Sequence, residues 1–217
     1  GYLYFASPTY QVDALVQVED EKSQLGGLET VNQMRLDDKS SISAETEILL
    51  SRMVLGKVVS DLKLYVVAKP KYFPWIGAAV ARHYHGKAPA RPWFWMSHYA
   101  WGGEEIRLES LTVPESLTNH PLLLELLEDE RYSLSDPKTG EVLLEGKIGE
   151  PAREDVPQGG VPIELFVSKI TARPGTQFEL VRADDLSIIN ALRSKITVKE
   201  RGRGSSILEI KLDDSDP

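Results

Sequence analysis

The 217-residue sequence contains no cysteine. This absence excludes disulfide bonds, cysteine-ligated zinc sites and a thiol nucleophile, but it leaves the cellular compartment open. Basic residues are also in deficit, because 25 Lys and Arg stand against 33 Asp and Glu, for a net charge of −8. Nucleic acids and anionic membrane surfaces are therefore poor electrostatic partners.

The sequence also lacks a hydrophobic run long enough to cross a bilayer. The N-terminal GYLYFASP is short, and the longest other apolar stretch lies near Phe73–Ala81. Both fall well short of the roughly 20 apolar residues that a membrane-spanning helix needs. The chain is nevertheless long enough to bury a substantial core, as one large domain or two small ones.

Motifs for covalent chemistry are missing as well. No G-x-S-x-G is present, so a serine nucleophile elbow is not indicated. The nearest approach to a phosphate-binding loop, GEVLLEGKI at Gly140–Ile148, has one residue too many between its glycines and isoleucine in place of the hydroxyl. His83 and His85 stand at a predicted helix end with no carboxylate at ligand spacing, and we interpret them as surface residues. We predict no catalytic, cofactor-binding or metal-binding residues.

The strongest secondary-structure signal is SAETEILLSRMVLGKVVSDL, at Ser43–Leu62. Ser43 is a suitable N-cap, and glutamates follow it where the helix dipole favours negative charge. Apolar side chains recur at helical spacing on one face: Ile48, Leu49, Met53, Leu55, Val58, Val59 and Leu62. We expect Met53 and Leu55 to anchor this single helix, in which Gly56 costs roughly 1 kcal/mol relative to alanine.

Strand-forming segments dominate the chain from Glu105 onward, separated by turn sequences such as DPKTG at Asp136–Gly140. The predicted strands there are Ile106–Val113, Leu122–Leu127, Arg131–Ser135, Glu141–Ile148, Ile163–Ala172 and Gln177–Arg182. Several short strands at this spacing indicate a small β-sandwich or jelly-roll-like unit.

The two ends of the chain mix strands with helices. The further predicted strands are a half-buried Tyr10–Glu19, Leu64–Ala68, Lys195–Glu200 and Ile207–Leu212, and a short helix is predicted at Phe73–His83. Asp184 or Asp185 can cap a last helix, with Leu186, Ile189 and Leu192 facing inward.

Several of these segments resemble one family in the same order. They are SPTYQVDALVQVE at Ser7–Glu19, TEILLSRMVLGKVVSDLKL at Thr46–Leu64, YFPWIG at Tyr72–Gly77, TARPGTQFEL at Thr171–Leu180 and LSIINALRSKITVKERG at Leu186–Gly202. Together they resemble the periplasmic part of bacterial polysaccharide co-polymerases, in particular the Wzz-type chain-length-determinant domain of Wzc-like tyrosine autokinases. The resemblance lapses mainly around 21–41 and 87–103.

The resemblance implies an α+β fold. A mixed α/β base would be built from both ends of the chain, residues 1–68 and 183–217. Residues 69–104 would form a connecting helix and an aromatic loop, and residues 105–182 an inserted β-rich unit. Taken alone, GYLYFASP is a strand or a frayed end, but beside the resemblance it looks like the end of a first transmembrane helix. The resemblance implies a parent protein with two such helices around a domain on the periplasmic face of the inner membrane.

The resemblance also implies a function without covalent chemistry in this chain. The parent would be a tyrosine autokinase whose ATP-binding module lies outside this sequence, and its role would be polymerisation, chain-length control and export of capsular polysaccharide or exopolysaccharide. The implied partners are further copies in a ring-like homo-oligomer, the polysaccharide polymerase, the outer-membrane export channel and the polysaccharide itself. No cofactor and no nucleic acid is implied.

Arg52 and Glu47 are the candidate interface or structural residues. The family has an arginine at the place of Arg52, in a segment resembling S-R-x-V-L-G-K. One interpretation is structural: Arg52 pairs with Glu47 or Glu45 across a helical turn, or it buries its aliphatic stem and keeps its charged head in solvent. The other gives Arg52 a role at a subunit interface.

An aromatic loop supplies the remaining candidates, Trp93, Trp95 and Trp101. Their rings pack against the protein, lie at a membrane interface where Trp is favoured, or stack on a sugar. The sugar interpretation supports an alternative function from another class, a free-standing carbohydrate-binding β-domain.

Overall fold

The computed structural model describes residues 10–17, 44–86, 88–91, 96, 98–156, 160–201 and 207–214. In chain order, its strands and helices are β1 (Tyr10–Gln17), α1 (Arg52–Asp61), β2 (Val66–Pro70), α2 (Gly77–Arg82), β3 (Glu105–Thr112), β4 (Pro121–Leu126), β5 (Arg131–Ser135), β6 (Val142–Lys147), β7 (Pro151–Glu154), β8 (Ile163–Thr171), β9 (Gln177–Arg182), α3 (Asp185–Lys195), β10 (Ile196–Glu200) and β11 (Ile207–Asp214). This content confirms the predicted α+β class.

The chain separates into two compact units. We call Lys63–Asp184 the middle unit, and the segments Ala6–Leu62 and Asp185–Pro217 together the flanking unit. β2, which the sequence led us to expect in the base with residues 1–68, pairs with β9 inside the middle unit. The predicted assignment of the two units as base and inserted domain stays a prediction.

Two antiparallel sheets make up the middle unit. The five-stranded sheet has the order β2-β9-β4-β5-β6, and the three-stranded sheet has the order β3-β8-β7. Alternate residues of these strands, such as Leu122, Leu124 and Leu126 in β4, are buried while their neighbours are less so, as expected for strands with one covered face. One hydrophobic cluster draws on both sheets: Leu111, Val113, Leu122, Leu124, Tyr132, Leu134, Leu144, Ile163, Leu165, Val167, Phe178 and Leu180.

Tyr132 is the polar member of this core. Its ring is fully buried, and its hydroxyl donates to the backbone oxygen of Leu165 at 3.4 Å, so the bond joins β5 to β8 of the other sheet. Gly146, its register partner on β6, lies against the same hydroxyl: a Cβ at position 146 would stand 2.5 Å from Tyr132 Oη. Glycine is therefore required at 146 for space rather than for flexibility.

The flanking unit is built on a separate three-stranded antiparallel sheet of order β1-β11-β10. α1 contacts α3, and a Cβ on Gly56 would stand 3.5 Å from Ile189 Cδ1, an ordinary contact. Asp185 lies in the first turn of α3 and Arg193 and Lys195 in its last turn, where each sign of charge suits the helix dipole. Residues 11–17 of β1 are exposed, so the prediction of this strand is confirmed but its half-burial is wrong.

The single helix predicted at Ser43–Leu62 is wrong, because the structure divides it. Residues 44–49 are helical, and a new helix, α1, begins at Arg52. Between them Ser51 is extended, with φ −66° and ψ 151°, and its hydroxyl accepts from the Val54 amide at 3.3 Å. A serine side chain that can cap a helix competes with helical backbone, so the second cap ends the first segment. The predicted cap Ser43 lies outside the described residues.

The divided helix also changes which side chains are buried. Leu55 and Val59, one turn apart, are 3% and 2% exposed. Met53 is 81% exposed, and Ile48 and Leu62 are exposed as well. The prediction that Leu55 anchors the helix is confirmed, and the same prediction for Met53 is wrong, because α1 turns Met53 to the side opposite Leu55.

The remaining differences are local. β7 was not predicted, the helix expected at Phe73–His83 begins only at Gly77, and Leu186 is exposed where we expected it to face inward. Pro74 lies in a turn before α2. The other strands predicted from Glu105 onward are confirmed to within about two residues, a spread that boundary assignment alone produces.

Candidate functional site

Arg52 and Glu47 lie on different helical segments in the flanking unit. Both side chains are exposed, and Ser51 breaks the backbone between them. Within residues 44–86, no ion pair joins Arg52 to Glu47 or Glu45. The expected pairing across one helical turn is therefore wrong, because no continuous turn connects these residues. The subunit-interface interpretation stays a prediction.

Trp101 belongs to the packed interior of the middle unit. It is 6% exposed, and its ring stacks on Phe73 with 5.9 Å between centroids. Tyr99 meets Phe73 edge-on at 5.3 Å. The indole Nε1 of Trp101 donates to the Met96 oxygen at 3.2 Å. A ring enclosed in this way is not available to lipid or sugar, so of the three interpretations only packing against the protein fits Trp101.

Trp75 behaves in the opposite manner. It is 96% exposed, and its backbone adopts φ 74°, a conformation that bulky side chains rarely take. Ile76, which follows it, is also exposed. The other two predicted contacts, Trp93 and Trp95, lie outside the described residues.

Two of the histidines lie within hydrogen-bond distance of backbone oxygens, and the segment GEVLLEGKI forms part of a sheet. His83 Nδ1 lies 2.8 Å from the Ala79 oxygen, and His120 Nδ1 lies 3.2 Å from the Thr118 oxygen. GEVLLEGKI begins in the turn at Gly140 and continues as β6, which pairs with β5. Among the described residues, no group of three His, Asp or Glu side chains is arranged to hold a metal ion.

An open cleft of about 610 Å³ lies over the end of strands β9, β4 and β5 in the middle unit. Its floor carries Gln177, Glu125 and Ser135, which alternate with buried core residues of the same strands. These side chains therefore stand on the face of the sheet that points away from the core. Further lining residues are Lys71, His98, Leu123, Asp136, Pro137, Gly140 and Gly175.

Hydrogen bonds fix the polar floor of this cleft. Gln177 and Glu125 are register partners across β9 and β4, and Gln177 Nε2 donates to Glu125 Oε2 at 2.9 Å. The Gln177 Oε1 atom accepts from Lys71 Nζ, also at 2.9 Å. The Lys71 ammonium lies 5.8 Å from the centroid of the Tyr99 ring. A cation, an amide and a carboxylate are thus held in one row.

Backbone hydrogen bonds hold the two walls. On one side, the Gln177 amide donates to the His98 oxygen at 3.0 Å, and the Ala100 amide donates to the Lys71 oxygen at 2.9 Å. On the other side, Asp136 accepts from the Lys138 amide through Oδ1 at 2.7 Å and from the Gly140 amide through its backbone oxygen at 2.8 Å. The cleft is therefore formed by pinned segments rather than by loose loops.

The turn from β8 to β9, which brings Gly175 to the cleft, holds two incompletely bonded residues. Arg173 Nη1 and Nη2 and Thr176 Oγ1 are buried and have no hydrogen-bond partner in the part of the chain that the structure describes. Buried polar atoms in this state are uncommon in native proteins, so they distinguish this turn from the others.

Sequence reasoning missed the cleft. TARPGTQFEL, at Thr171–Leu180, contributes Gly175 and Gln177, but it was recognised as a family segment rather than as a site. No motif marks Lys71 or Glu125 in the sequence, and only the register of β4 against β9 and the pairing near β2 bring them together. Alternation does place Glu125 and Gln177 on the outer face of the sheet, and that was the signal available.

Two family models match the chain side by side. The chain length determinant protein family matches residues 1–62, and the N-terminal domain of the tyrosine-protein kinase Wzc matches residues 66–183. The second match covers more than half of the chain, and the resemblance in the sequence is confirmed. The protein belongs to the family of Wzc N-terminal domains, with a chain-length-determinant segment before that domain.

Individual relatives agree with this assignment. EpsB of Ralstonia solanacearum is 38% identical and aligns with all of this chain and 28% of its own length. The tyrosine-protein kinase etk of Escherichia coli K12 is 32% identical over all of this chain and 27% of itself. The tyrosine-protein kinase wzc of Salmonella typhimurium LT2 is 29% identical over 96% of this chain and 26% of itself. The chain thus spans about a quarter of the length of the curated relatives it matches.

Among the described helices, none is long and apolar enough to span a bilayer.

Proposed function

We propose that this chain is the periplasmic domain of an inner-membrane polysaccharide co-polymerase that controls the chain length of capsular polysaccharide or exopolysaccharide. The observation that carries the proposal is an agreement between two independent divisions of the chain. The family models meet between residues 62 and 66 and end at 183, and the compact units divide after Leu62 and after Asp184. The chain-length-determinant match thus ends with the first segment of the flanking unit, and the Wzc N-terminal match spans nearly all of the middle unit.

The chain functions by assembling with further copies of itself rather than by catalysing a reaction. The parent is a tyrosine autokinase anchored by two transmembrane helices, and its catalytic module lies outside this sequence. Several copies form a ring on the periplasmic side of the inner membrane, beside the polysaccharide polymerase and the outer-membrane export channel. The middle unit is a β-sandwich inserted into a base made of the flanking unit, which its two sheets with one shared core support.

The flanking unit supplies the contacts between copies. Met53, next to Arg52, and Ile48, in the preceding helical segment, are exposed, as is Leu62 at the far end of α1, so this helical region presents apolar and cationic groups together. Arginine beside exposed apolar side chains is typical of protein interfaces. Trp93 and Trp95 stay proposed contacts with the membrane interface or with sugar.

The interface is tested by changing one exposed side chain in the full-length parent. Met53→Asp brings an unpaired charge into each contact between copies, and burying a charge without a partner costs binding free energy. We expect fewer cross-linked oligomers in the membrane and an altered polysaccharide length distribution on a gel. Ser60→Asp adds the same charge at an exposed polar position of α1 and serves as the matched control. Normal oligomers with Met53→Asp would refute this interface.

The function itself is tested in a strain that lacks the parent gene. Loss of the protein should change the amount and length distribution of the surface polysaccharide, and the intact gene should restore both. An unchanged distribution in the deletion strain refutes chain-length control. The cleft of the middle unit favours a second candidate, a carbohydrate-binding domain without an assembly role, and this is the function left if the deletion has no effect while the chain binds sugar.

A further inference from the structure

The cleft over β9, β4 and β5 has the chemistry of a site for a hydroxyl-rich ligand. Its floor offers donors from the Lys71 ammonium and the Gln177 amide and acceptors from the Glu125 carboxylate, within one hydrogen-bonded row. A sugar hydroxyl both donates and accepts, so it pairs with either kind of group. The volume of about 610 Å³ lies within the usual range for ligand pockets, about 300–1,000 Å³.

The row is ordered before any ligand binds. Gln177 is held from both ends, by Lys71 at 2.9 Å and by Glu125 at 2.9 Å, and its own amide is bonded to the His98 oxygen. Side chains that are already fixed lose little conformational entropy on binding. Such preorganisation matters most for sugars, because each hydroxyl must give up water in order to bind.

The charge of the lining selects among sugars. Lys71 contributes one positive charge, and Glu125 and Asp136 contribute two negative charges, so the formal sum is −1 with neutral histidine. A uronic acid or a phosphorylated sugar would face this excess of carboxylate, which costs binding free energy. A neutral saccharide avoids the repulsion while it keeps the hydrogen bonds.

The cleft also offers surfaces for the C–H faces of sugar rings. Pro137 and Leu123 are part of the lining, and His98 lies beside the Tyr99 ring with 4.3 Å between centroids. Polar surface exceeds apolar surface in the lining, which makes a predominantly apolar ligand a poor match. A row of donors and acceptors with apolar surface beside it suits a polysaccharide, whose rings present both hydroxyl groups and C–H faces.

We propose that this cleft binds a short neutral segment of polysaccharide, with Lys71, Gln177 and Glu125 as its hydrogen-bonding residues. The inference rests on the proposed function, because it names the site through which the domain would contact the growing chain. It differs from the aromatic-loop hypothesis, since the binding groups are the polar residues of the sheet. Trp101, packed against Phe73, has no part in it.

The test uses the 217-residue chain and defined neutral oligosaccharides: maltohexaose, cellopentaose and mannohexaose. They are titrated to millimolar concentration into ¹⁵N-labelled protein while amide shifts are recorded. We expect at least one of them to move amides near Gln177, Glu125 and Asp136, with saturation. The shifts should not depend on salt, because a neutral ligand releases no counterions. Hexagalacturonate, the anionic probe, should bind at least tenfold more weakly.

Two variants and one control make the assignment specific. Gln177→Ala removes the centre of the row and should weaken binding at least tenfold. Lys71→Gln keeps a hydrogen-bond donor, on a side chain one atom shorter, and should weaken binding less than Gln177→Ala, which a folding defect would not reproduce. Glu179→Ala changes an exposed residue two places along β9 and should leave binding unchanged.

Three results overturn the inference. They are no shift with any of the three neutral oligosaccharides, shifts that Gln177→Ala leaves intact, and hexagalacturonate binding as tight as that of the neutral probes. A chain that binds no sugar while the parent still controls chain length removes this inference and keeps the proposed function. Sugar binding without any effect of the gene deletion does the reverse.

Discussion

In the middle unit, alternate residues of two sheets share one core, and side chains as large as Tyr132 and Phe178 are fully buried. In the flanking unit, a strand and helices with equally regular apolar spacing leave Val12, Leu15 and Met53 exposed. The comparison teaches that periodicity shows which face of an element is apolar, whereas burial requires a second surface to cover that face. In the middle unit, the apolar faces of the two sheets cover each other.

The largest effect is expected from truncating the shared core. Phe178→Ala removes a fully buried ring and should lower the unfolding free energy by about 3–5 kcal/mol. Denaturant unfolding followed by tryptophan emission measures this, since all four tryptophans lie within the range of the middle unit. Trp75→Ala, which truncates a 96% exposed ring, is the control and should change stability by at most about 0.5 kcal/mol. Equal effects would abolish the contrast between buried and exposed aromatic residues.

The flanking unit has a smaller but real core, and α1 tests it. Leu55→Ala should destabilise this unit by about 2–5 kcal/mol, because Leu55 is 3% exposed. Met53→Ala, two residues away, should cost no more than about 0.5 kcal/mol. Circular dichroism at 222 nm in a denaturant series compares the two variants. If Met53→Ala cost as much as Leu55→Ala, α1 would be rotated relative to the described helix.

The stability of the middle unit should fall at alkaline pH because of one buried hydroxyl, that of Tyr132. Burial raises the pKa of Tyr132 from its ordinary value to about 12. The unfolded chain loses this proton near pH 10, so the stabilisation is complete below pH 10 and is lost as pH rises toward 12. The loss amounts to roughly 2–3 kcal/mol. Tyr132→Phe should have a flatter stability profile between pH 10 and 12, and identical profiles would mean that the hydroxyl reaches solvent.

The smallest changes in stability are expected from replacing a glycine by alanine, and the sign of the change should differ between the two units. Gly56→Ala places a methyl group 3.5 Å from Ile189 Cδ1 in a helix, and it should stabilise the flanking unit by up to about 1 kcal/mol. Gly146→Ala in the middle unit meets Tyr132 Oη at 2.5 Å and should destabilise by about 1–3 kcal/mol. Thermal melts of both variants provide the measurement. A stabilising Gly146→Ala would mean that the two sheets are loosely packed.

The sequence predicted the middle unit well because its signals are local and agree with one another. Alternation and turns such as DPKTG, which follows β5, predicted β5 and β9 with their observed bounds. The divided helix was missed because Ser51 suits both a helix interior and a second cap, and helical periodicity alone does not separate these states. β7 has only four residues and no alternation strong enough to indicate a strand.

The candidate site was predictable only in part. That Gln177 and Glu125 face outward follows from alternation, but their partnership depends on the register of β4 against β9, which is set between segments about fifty residues apart. The expected pairing of Arg52 with Glu47 failed for a similar reason, since it assumed a continuous backbone between them. Pairings across a sheet or across a break need the fold, whereas the outward position of a single side chain does not.

The hydrogen bond from Tyr132 to the Leu165 oxygen has a mechanical consequence. Apolar contacts have no preferred direction, so two sheets held only by them resist separation better than they resist sliding. A directional bond from β5 to β8 fixes one point of the first sheet to one point of the second, and Gly146, which has no side chain, leaves space for the Tyr132 ring that makes this bond. The middle unit therefore resists sliding of one sheet over the other as well as separation of the two sheets.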